Sequence, residues 1–185
     1  DVTMGAVLKI WHTYREEGIA LNNEGQLGKV PPLEELADAK ACTGWDKVEI
    51  DENAGTVYLN QSCASLDVGG IAKGFAAGKV QQHLTEAGLV HGTVDAGGNI
   101  CTINDKPGGQ QWRVGIRNPS GNGSLAVVAL PGSAAFVSSG DYERFYGAED
   151  GKLYHHIIDP QTLFPAAYYH QVTIVTENSG YADAL

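Results

Sequence analysis

The sequence predicts an α+β fold of mostly antiparallel sheets packed with helices, and three observations carry that prediction. Helical periodicities fall mainly in the first half of the chain, whereas short strand-like runs bounded by Gly, Pro, Asn or Asp dominate from residue 90 onward. Several of these runs are separated by too few residues for a crossover helix, which argues for antiparallel pairing. Helices early and strands late form the α+β pattern. The 185 residues suit one domain, with no internal repeat or linker.

The elements follow in order. Val7, Leu8, Ile10, Trp11 and Tyr14 give residues 4–17 helical spacing, and Gly18 reads as a stop. Residues 19–31 are polar and Gly-rich, a loop ending in Pro31-Pro32. Pro32 suits the first turn of a second helix, whose apolar face is Leu33, Leu36, Ala37 and Ala41. Val48 and Ile50, then Val57 and Leu59, read as a hairpin around DENAG. Ile71, Phe75, Ala76, Val80, Leu84 and Ala87 form the stripe of an amphipathic helix that Gly88 ends. Strand-like runs follow at 90–95, 99–103, 112–117, 125–130, 134–138, 153–158 and 172–176.

Composition removes several functions. A chain that is 43% hydrophobic and 18% charged is not a disordered tail. The net charge of −10 argues against a phosphate-backbone partner, so nucleic acid is set aside. No apolar run approaches the roughly 20 residues of a membrane-spanning helix, and the start carries no signal-peptide pattern. Cys42, Cys63 and Cys101 match no zinc or redox spacing and read as three buried thiols. The chain starts at Asp1 without an initiator Met and stops at Leu185 where a helical pattern begins. Both ends therefore read as cut, and the expectation is a piece of a longer polypeptide.

Five segments can carry chemistry. In SLDVGGIAKGFAAGKV (65–80), a short strand is expected to enter a turn at Gly69-Gly70, and a helix opens with Lys73 in its first turn. Exposed N–H groups and the helix dipole make such a start an anion site, and Asp67 before it can accept hydrogen bonds or face a cation. Its spacing is neither a P-loop nor a GxGxxG fingerprint, and a plain Gly-capped turn explains it as well. VDAGGNI (94–100) places Asp95 and Asn99 around two glycines, either a tight turn or room for a ligand to approach main chain. SSGDYERF (138–145) offers Ser138, Ser139 and Asp141 on a loop after an apolar run, which turn chemistry also explains. In YHHIIDPQTLFP (154–165), His155 and His156 on a strand point to opposite faces, and polarity does not choose between them. NSGYADAL (178–185) allows Asn178 or Ser179 to cap a helix whose first turn presents Asp183, as ordinary capping or as a ligand for Mg²⁺.

Taken together and in order, DVT (1–3), LDVGGIAKGFAA (66–77), VDAGGNI, VGIRNP (114–119), SSGDYERF, HIIDP (156–160) and VTIV…ADAL (172–185) resemble the ApbE family of FAD:protein FMN transferases. The resemblance runs the length of the chain and implies a single ApbE-like, T-fold-related domain over 1–185, truncated at both ends. It implies an extracytoplasmic, membrane-anchored lipoprotein, with the lipid anchor outside this chain. It further implies Mg²⁺-dependent transfer of FMN from FAD to a Thr or Ser hydroxyl of an acceptor flavoprotein, releasing AMP. An FAD pyrophosphatase, or a flavin-binding protein without turnover, stands as the alternative.

Carried over by position, His156 matches the catalytic histidine. Asp67, Lys73 and Ile157 fall on flavin-nucleotide contacts, and Thr3 falls in a segment lining the FAD site. Gly70 matches a backbone carbonyl ligand of the metal, and Asp183 its carboxylate ligand. The family commonly has Thr-Gly after Asp-Pro, whereas this chain has Thr162-Leu163, so the turn is expected to avoid the left-handed geometry or take another shape. The family also places a Thr four residues beyond the metal-binding Asp, past Leu185.

Overall fold

A computed structural model describes all residues, 1–185. After a 3₁₀ turn at Val2–Met4 come α1 (Gly5–Asn23), α2 (Leu33–Lys40), β1 (Val48–Asp51), β2 (Thr56–Leu59) and α3 (Ala72–Glu86). There follow β3 (Gly92–Asp95), β4 (Asn99–Ile103), β5 (Trp112–Arg117), β6 (Ser124–Leu130) and β7 (Ala135–Gly140). The chain closes with β8 (Phe145–Gly147), β9 (Leu153–His155), β10 (Gln171–Thr176) and α4 (Ser179–Ala184). All strand pairs are antiparallel, as expected. Contacts gather into two compact units, residues 1–68 with 141–168 and residues 69–140 with 169–185.

The first unit is built on α1. Val7, Trp11, Leu36, Tyr146, Tyr154 and Leu163 form its core, with Trp11 stacked 5.5 Å from Tyr154 and edge-on to Phe164. The helix does not stop at Gly18. It continues to Asn23 because Gly18 is a packing glycine, where an added Cβ would lie 2.3 Å from the Tyr146 ring. Asn22 then bonds both backbone groups of Gly147, accepting from its N–H at 2.6 Å and donating to its carbonyl at 2.9 Å. That side chain fixes α1 on β8, a three-residue strand too short to show a period of two. The β1–β2 hairpin forms around DENAG with Val48 paired to Leu59.

Two cysteines depart from the expectation. Cys42 and Cys63 form a disulfide, and only Cys101 is a buried free thiol. Their separation of 21 residues hides a Cα–Cα distance of 5.5 Å that the hairpin creates. The turn after Asp159-Pro160 also differs, because it keeps the left-handed geometry. Leu163 sits at φ 65° with its side chain buried, its N–H donating to the Asp159 carbonyl and its own carbonyl accepting from Trp11 Nε1 at 2.8 Å. Burial and two hydrogen bonds hold a conformation that glycine would adopt freely.

The second unit is layered. Its central sheet runs β10-β7-β4-β3. Ile100 and Phe136 point to the β5–β6 ribbon, packing with Val114, Ala134 and Val128. Cys101 and Ala135 point to the other face, against Ala77 of α3. The stripe expected to seat α3 is not the buried one: Phe75 is 60% and Val80 47% exposed, while Gly74 and Ala77 are buried. Side-chain bulk decides this. A Cβ on Gly74 would lie 2.2 Å from the Ser179 carbonyl oxygen, so α3 and α4 meet along small residues where large ones would not fit. Gly88, at φ 94°, follows the end of α3 as expected.

Candidate functional site

In the second unit the chemistry-bearing residues surround the start of α3. No strand precedes it, and residues 64–68 are irregular, because this segment finds no pairing partner. Gly69 and Gly70 turn the chain, and a Cβ on Gly70 would meet nothing within 4 Å. Ile71, the N-cap of α3, supplies no side-chain acceptor for the free N–H groups of the first turn. One of them is satisfied from a distance, as Gly74 N–H donates to Asp183 Oδ2 at 2.8 Å. Asp183 lies in the last turn of α4, not its first; Asn178 caps α4 by accepting from Tyr181 N–H at 3.0 Å. Lys73 donates to the Gly97 carbonyl at 3.3 Å.

Gly97 and Gly98, at φ 63° and 93°, form the tight β3–β4 turn, and Asp95 Oδ1 accepts from Gly98 N–H. The structure thus brings Gly70, Lys73 and Asp183 to the two helices and the β3–β4 turn. It adds a residue that the motif reading placed but did not assign. Asn99 is fully buried, and neither its Oδ1 nor its Nδ2 has a partner. An unmet buried amide costs about 1–3 kcal/mol, and the AGGN string offered no signal of it. Ser138, Ser139 and Gly140 lie within β7, extending the strand beyond the expected loop boundary, and Ser138 Oγ pairs with Thr173 Oγ1 at 2.8 Å.

In the first unit Thr3 is buried, its hydroxyl donating to Asp1 Oδ1 at 2.9 Å and accepting from Gly44 N–H at 3.1 Å. The half-buried Asp67 lies beside it, with its N–H donating to the Val2 carbonyl at 2.9 Å. The strand expected over 153–158 ends at His155, because Ile157 turns back: its N–H donates to His155 Nδ1 at 3.2 Å and its carbonyl accepts from Ala166 N–H. That geometry separates the two histidines. His155 has both ring nitrogens engaged, with Nε2 bonded to the Ala166 carbonyl at 3.0 Å.

His156 instead has a buried Nδ1 without a partner. Burial, followed by the guanidinium groups of Arg144 and Arg15, pushes its pKa down to about 4, against a hydrogen bond to the Arg144 backbone that opposes the shift. The imidazole is neutral at physiological pH. Arg144 and Arg15 carry no assignment from the motifs because their proximity to His156 is a product of folding; their signal was only the cationic residue inside DYERF and one that follows Tyr14 in the first helix.

No group of three or more His, Cys, Asp or Glu is placed to hold a metal. The donors present are oxygens, the Gly70 carbonyl and the Asp183 carboxylate, which fit Mg²⁺ in the manner of sites that take their remaining ligands from water and substrate phosphates.

The antiparallel α+β architecture and the ordered glycine-rich and histidine motifs define a class found in known proteins. The family model described as "ApbE family" matches residues 1–185, and the chain belongs to that family. The chain is 36% identical to FAD:protein FMN transferase of Treponema pallidum over 98% of its own length and 51% of the relative's. It is 32% identical to the enzyme of that name from Haemophilus influenzae, over 100% of this chain and 52% of the relative. The crystal structure of the ApbE protein of Thermotoga maritima superposes with a TM-score of 0.84 at 34% identity, covering 100% of this chain and 56% of that one. Flavin transferase ApbE of Vibrio cholerae gives a TM-score of 0.76 at 28% identity, covering 99% and 55%. The chain spans about half the length of the relatives it matches.

Proposed function

We propose that this chain works as part of an FAD:protein FMN transferase, moving FMN from FAD to a Thr or Ser hydroxyl of an acceptor flavoprotein and releasing AMP. Family membership supports the reading. The observation that carries it is His156: an imidazole kept neutral, with a ring nitrogen uncommitted beside a neighbour whose nitrogens are both engaged. A hydroxyl is a weak nucleophile near neutrality, and a positioned neutral imidazole takes its proton. The hydroxyl oxygen bonds to the FMN phosphorus as the bond from phosphorus to the bridging oxygen breaks, AMP leaves with that oxygen, and His156 holds the proton.

The remaining assignments follow the same reading. Lys73 and the first-turn N–H groups of α3 supply positive potential to the flavin nucleotide, and Asp67 and Ile157 contact it. Thr3 serves there by holding its neighbours, since its hydroxyl is occupied by Asp1 and Gly44. Gly70 and Asp183 would hold Mg²⁺, which when bound neutralises charge on the phosphates. The Cys42–Cys63 disulfide supports residence outside the cytoplasm, where such bonds persist. The lipid anchor belongs to the same proposal and lies outside these residues.

Incubation with FAD and Mg²⁺, with and without a Thr-bearing acceptor peptide, tests the reading. AMP release that requires the peptide and leaves flavin fluorescence on it supports transfer. AMP release without peptide makes the protein an FAD pyrophosphatase, and tight FAD binding with no AMP makes it a binding protein.

A further inference from the structure

We propose that Asn99 is a further oxygen ligand of the divalent-cation site, its Oδ1 meeting the ion that Gly70 and Asp183 would hold. The inference rests on the Mg²⁺ part of the transferase reading and gives a role to a residue the motifs left without one. Every residue it uses belongs to the second unit. Asn99 is 0% exposed, and both ends of its amide, Oδ1 and Nδ2, are buried without a partner. Buried side-chain amides are ordinarily hydrogen-bonded, so one that is unmet at both ends points to a ligand.

Three packed elements fix where the amide faces. Side chains alternate along β4, and Cys101 packs on Ala77 of α3, so Asn99, two residues earlier, faces the same layer. Two residues back along β4 and one turn back along α3 are each about 6 Å, which sets Asn99 level with Lys73 and Gly74. Lys73, on its long stem, reaches on to the Gly97 carbonyl at 3.3 Å, in the same direction of travel. On α4 the order repeats: Ser179 Cβ would lie 3.8 Å from a Cβ on Gly78, and Asp183 Cβ 2.5 Å from one on Gly74. The Gly74 N–H is the group that Asp183 accepts at 2.8 Å. The Asn99 amide therefore faces the layer that holds the Asp183 carboxylate and the first turn of α3.

Each half of the amide has a use there. A neutral carbonyl oxygen is an ordinary ligand for a hard divalent cation, alongside carboxylate and main-chain carbonyl oxygens. The N–H₂ donates to an oxygen already on that ion, from water or a phosphate. An anion alone would meet only the donor end and leave Oδ1 against negative charge. A cation that carries oxygens meets both ends. Asp183 commits Oδ2 to Gly74, which leaves Oδ1 to the same ion.

The test compares Asn99→Leu and Asn99→Asp with the unaltered protein, using Mg²⁺ alone as the probe. Calorimetric titration reads affinity, and thermal unfolding in EDTA and in saturating Mg²⁺ reads stability. Asn99→Leu should weaken Mg²⁺ binding about tenfold or more. Its midpoint in EDTA should stay in place or rise, because an unmet amide is gone, while the gain that Mg²⁺ brings should shrink. Asn99→Asp should bind Mg²⁺ at least as tightly as the unaltered protein and unfold at a lower temperature in EDTA, where two carboxylates face each other without the ion. Equal Mg²⁺ affinity in Asn99→Leu and the unaltered protein overturns the inference, as does an unaltered protein that binds no Mg²⁺. A midpoint lowered equally with and without Mg²⁺ in both variants makes Asn99 a packing residue and also overturns it. AMP release from FAD is read separately, so the inference can fail while transfer stands. Mg²⁺ binding that depends on Asn99, in a protein that releases no AMP, upholds the ligand and sinks the transfer.

Discussion

Asp183 accepts a hydrogen bond at 2.8 Å from the backbone N–H of Gly74, so a carboxylate on α4 caps the first turn of α3. The pairing satisfies one of the orphan donors of that turn and sets a negative charge at the positive end of the helix dipole. It depends on close approach, since a Cβ on Gly74 would lie 2.5 Å from Asp183 Cβ as well as 2.2 Å from the Ser179 carbonyl oxygen.

Gly74→Ala should therefore destabilise the protein by about 1–3 kcal/mol, through overpacking between the two helices. Urea unfolding measures it. Gly78→Ala on the same helix, whose added Cβ would make only an ordinary contact with Ser179 Cβ at 3.8 Å, should cost little or gain stability.

Asp183 should answer to two assays differently. Asp183→Asn keeps an oxygen for Gly74 N–H and should change stability by less than about 1 kcal/mol, whereas Asp183→Ala loses the cap and costs about 1–2 kcal/mol. Both should weaken Mg²⁺ binding in a titration, because neither keeps the negative charge with which a carboxylate holds a hard cation. Unchanged Mg²⁺ affinity in Asp183→Asn would confine this residue to capping.

His156 should govern activity without governing affinity. In His156→Ala, FAD binding should stay largely intact while AMP release to an acceptor peptide slows about 10²-fold or more. Because its pKa is held down to about 4, the acid limb of the rate should lie near pH 4 and not near the ordinary 6.5. Stability carries the same signature. As pH falls from 6.5 toward 4 the unfolded chain takes up a proton that the folded chain refuses, so folding stability declines across that window. His156→Gln should flatten that part of the decline in urea unfolding at pH 7 and pH 5.

Leu163 should separate strain from burial. Leu163→Ala keeps a Cβ at φ 65° and loses a buried side chain, costing about 2–5 kcal/mol. Leu163→Gly loses the same burial but relieves about 1–2 kcal/mol of left-handed strain. The glycine variant should therefore be the more stable of the two in thermal unfolding, the reverse of the usual order.

Reduction of Cys42–Cys63, or replacement of both by Ala, should lower stability by about 3 kcal/mol, the chain-entropy value for a loop closed over a separation of 21 residues. Thermal unfolding with and without reductant measures it, and an unchanged midpoint would show that the reduced hairpin holds itself together.

Much of the fold was legible because periodicity is local. Leu33–Lys40, the β1–β2 hairpin, the Gly88 stop and the antiparallel sheet all follow from spacing and turn residues within short windows. Motif order over the full chain also sufficed for the family, since seven weak strings in sequence are specific together. What failed locally did so for identifiable reasons. Gly18 is the residue type that stops helices, yet it serves here to admit the Tyr146 ring. The Phe75–Val80 stripe has the right period, but α3 turns its small residues inward because α4 crosses there.

The sequence by itself determined the helix and strand types, the antiparallel class and the family, because these depend on spacing along the chain. Tertiary structure alone decided that Cys42 meets Cys63, that Asp183 caps α3, and that His155 is bonded at both nitrogens while His156 is left neutral beside Arg144. Each of these is a pairing or a burial. Charge, proton affinity and bond partners are properties of surroundings that distant residues supply, so no window along the chain contains them.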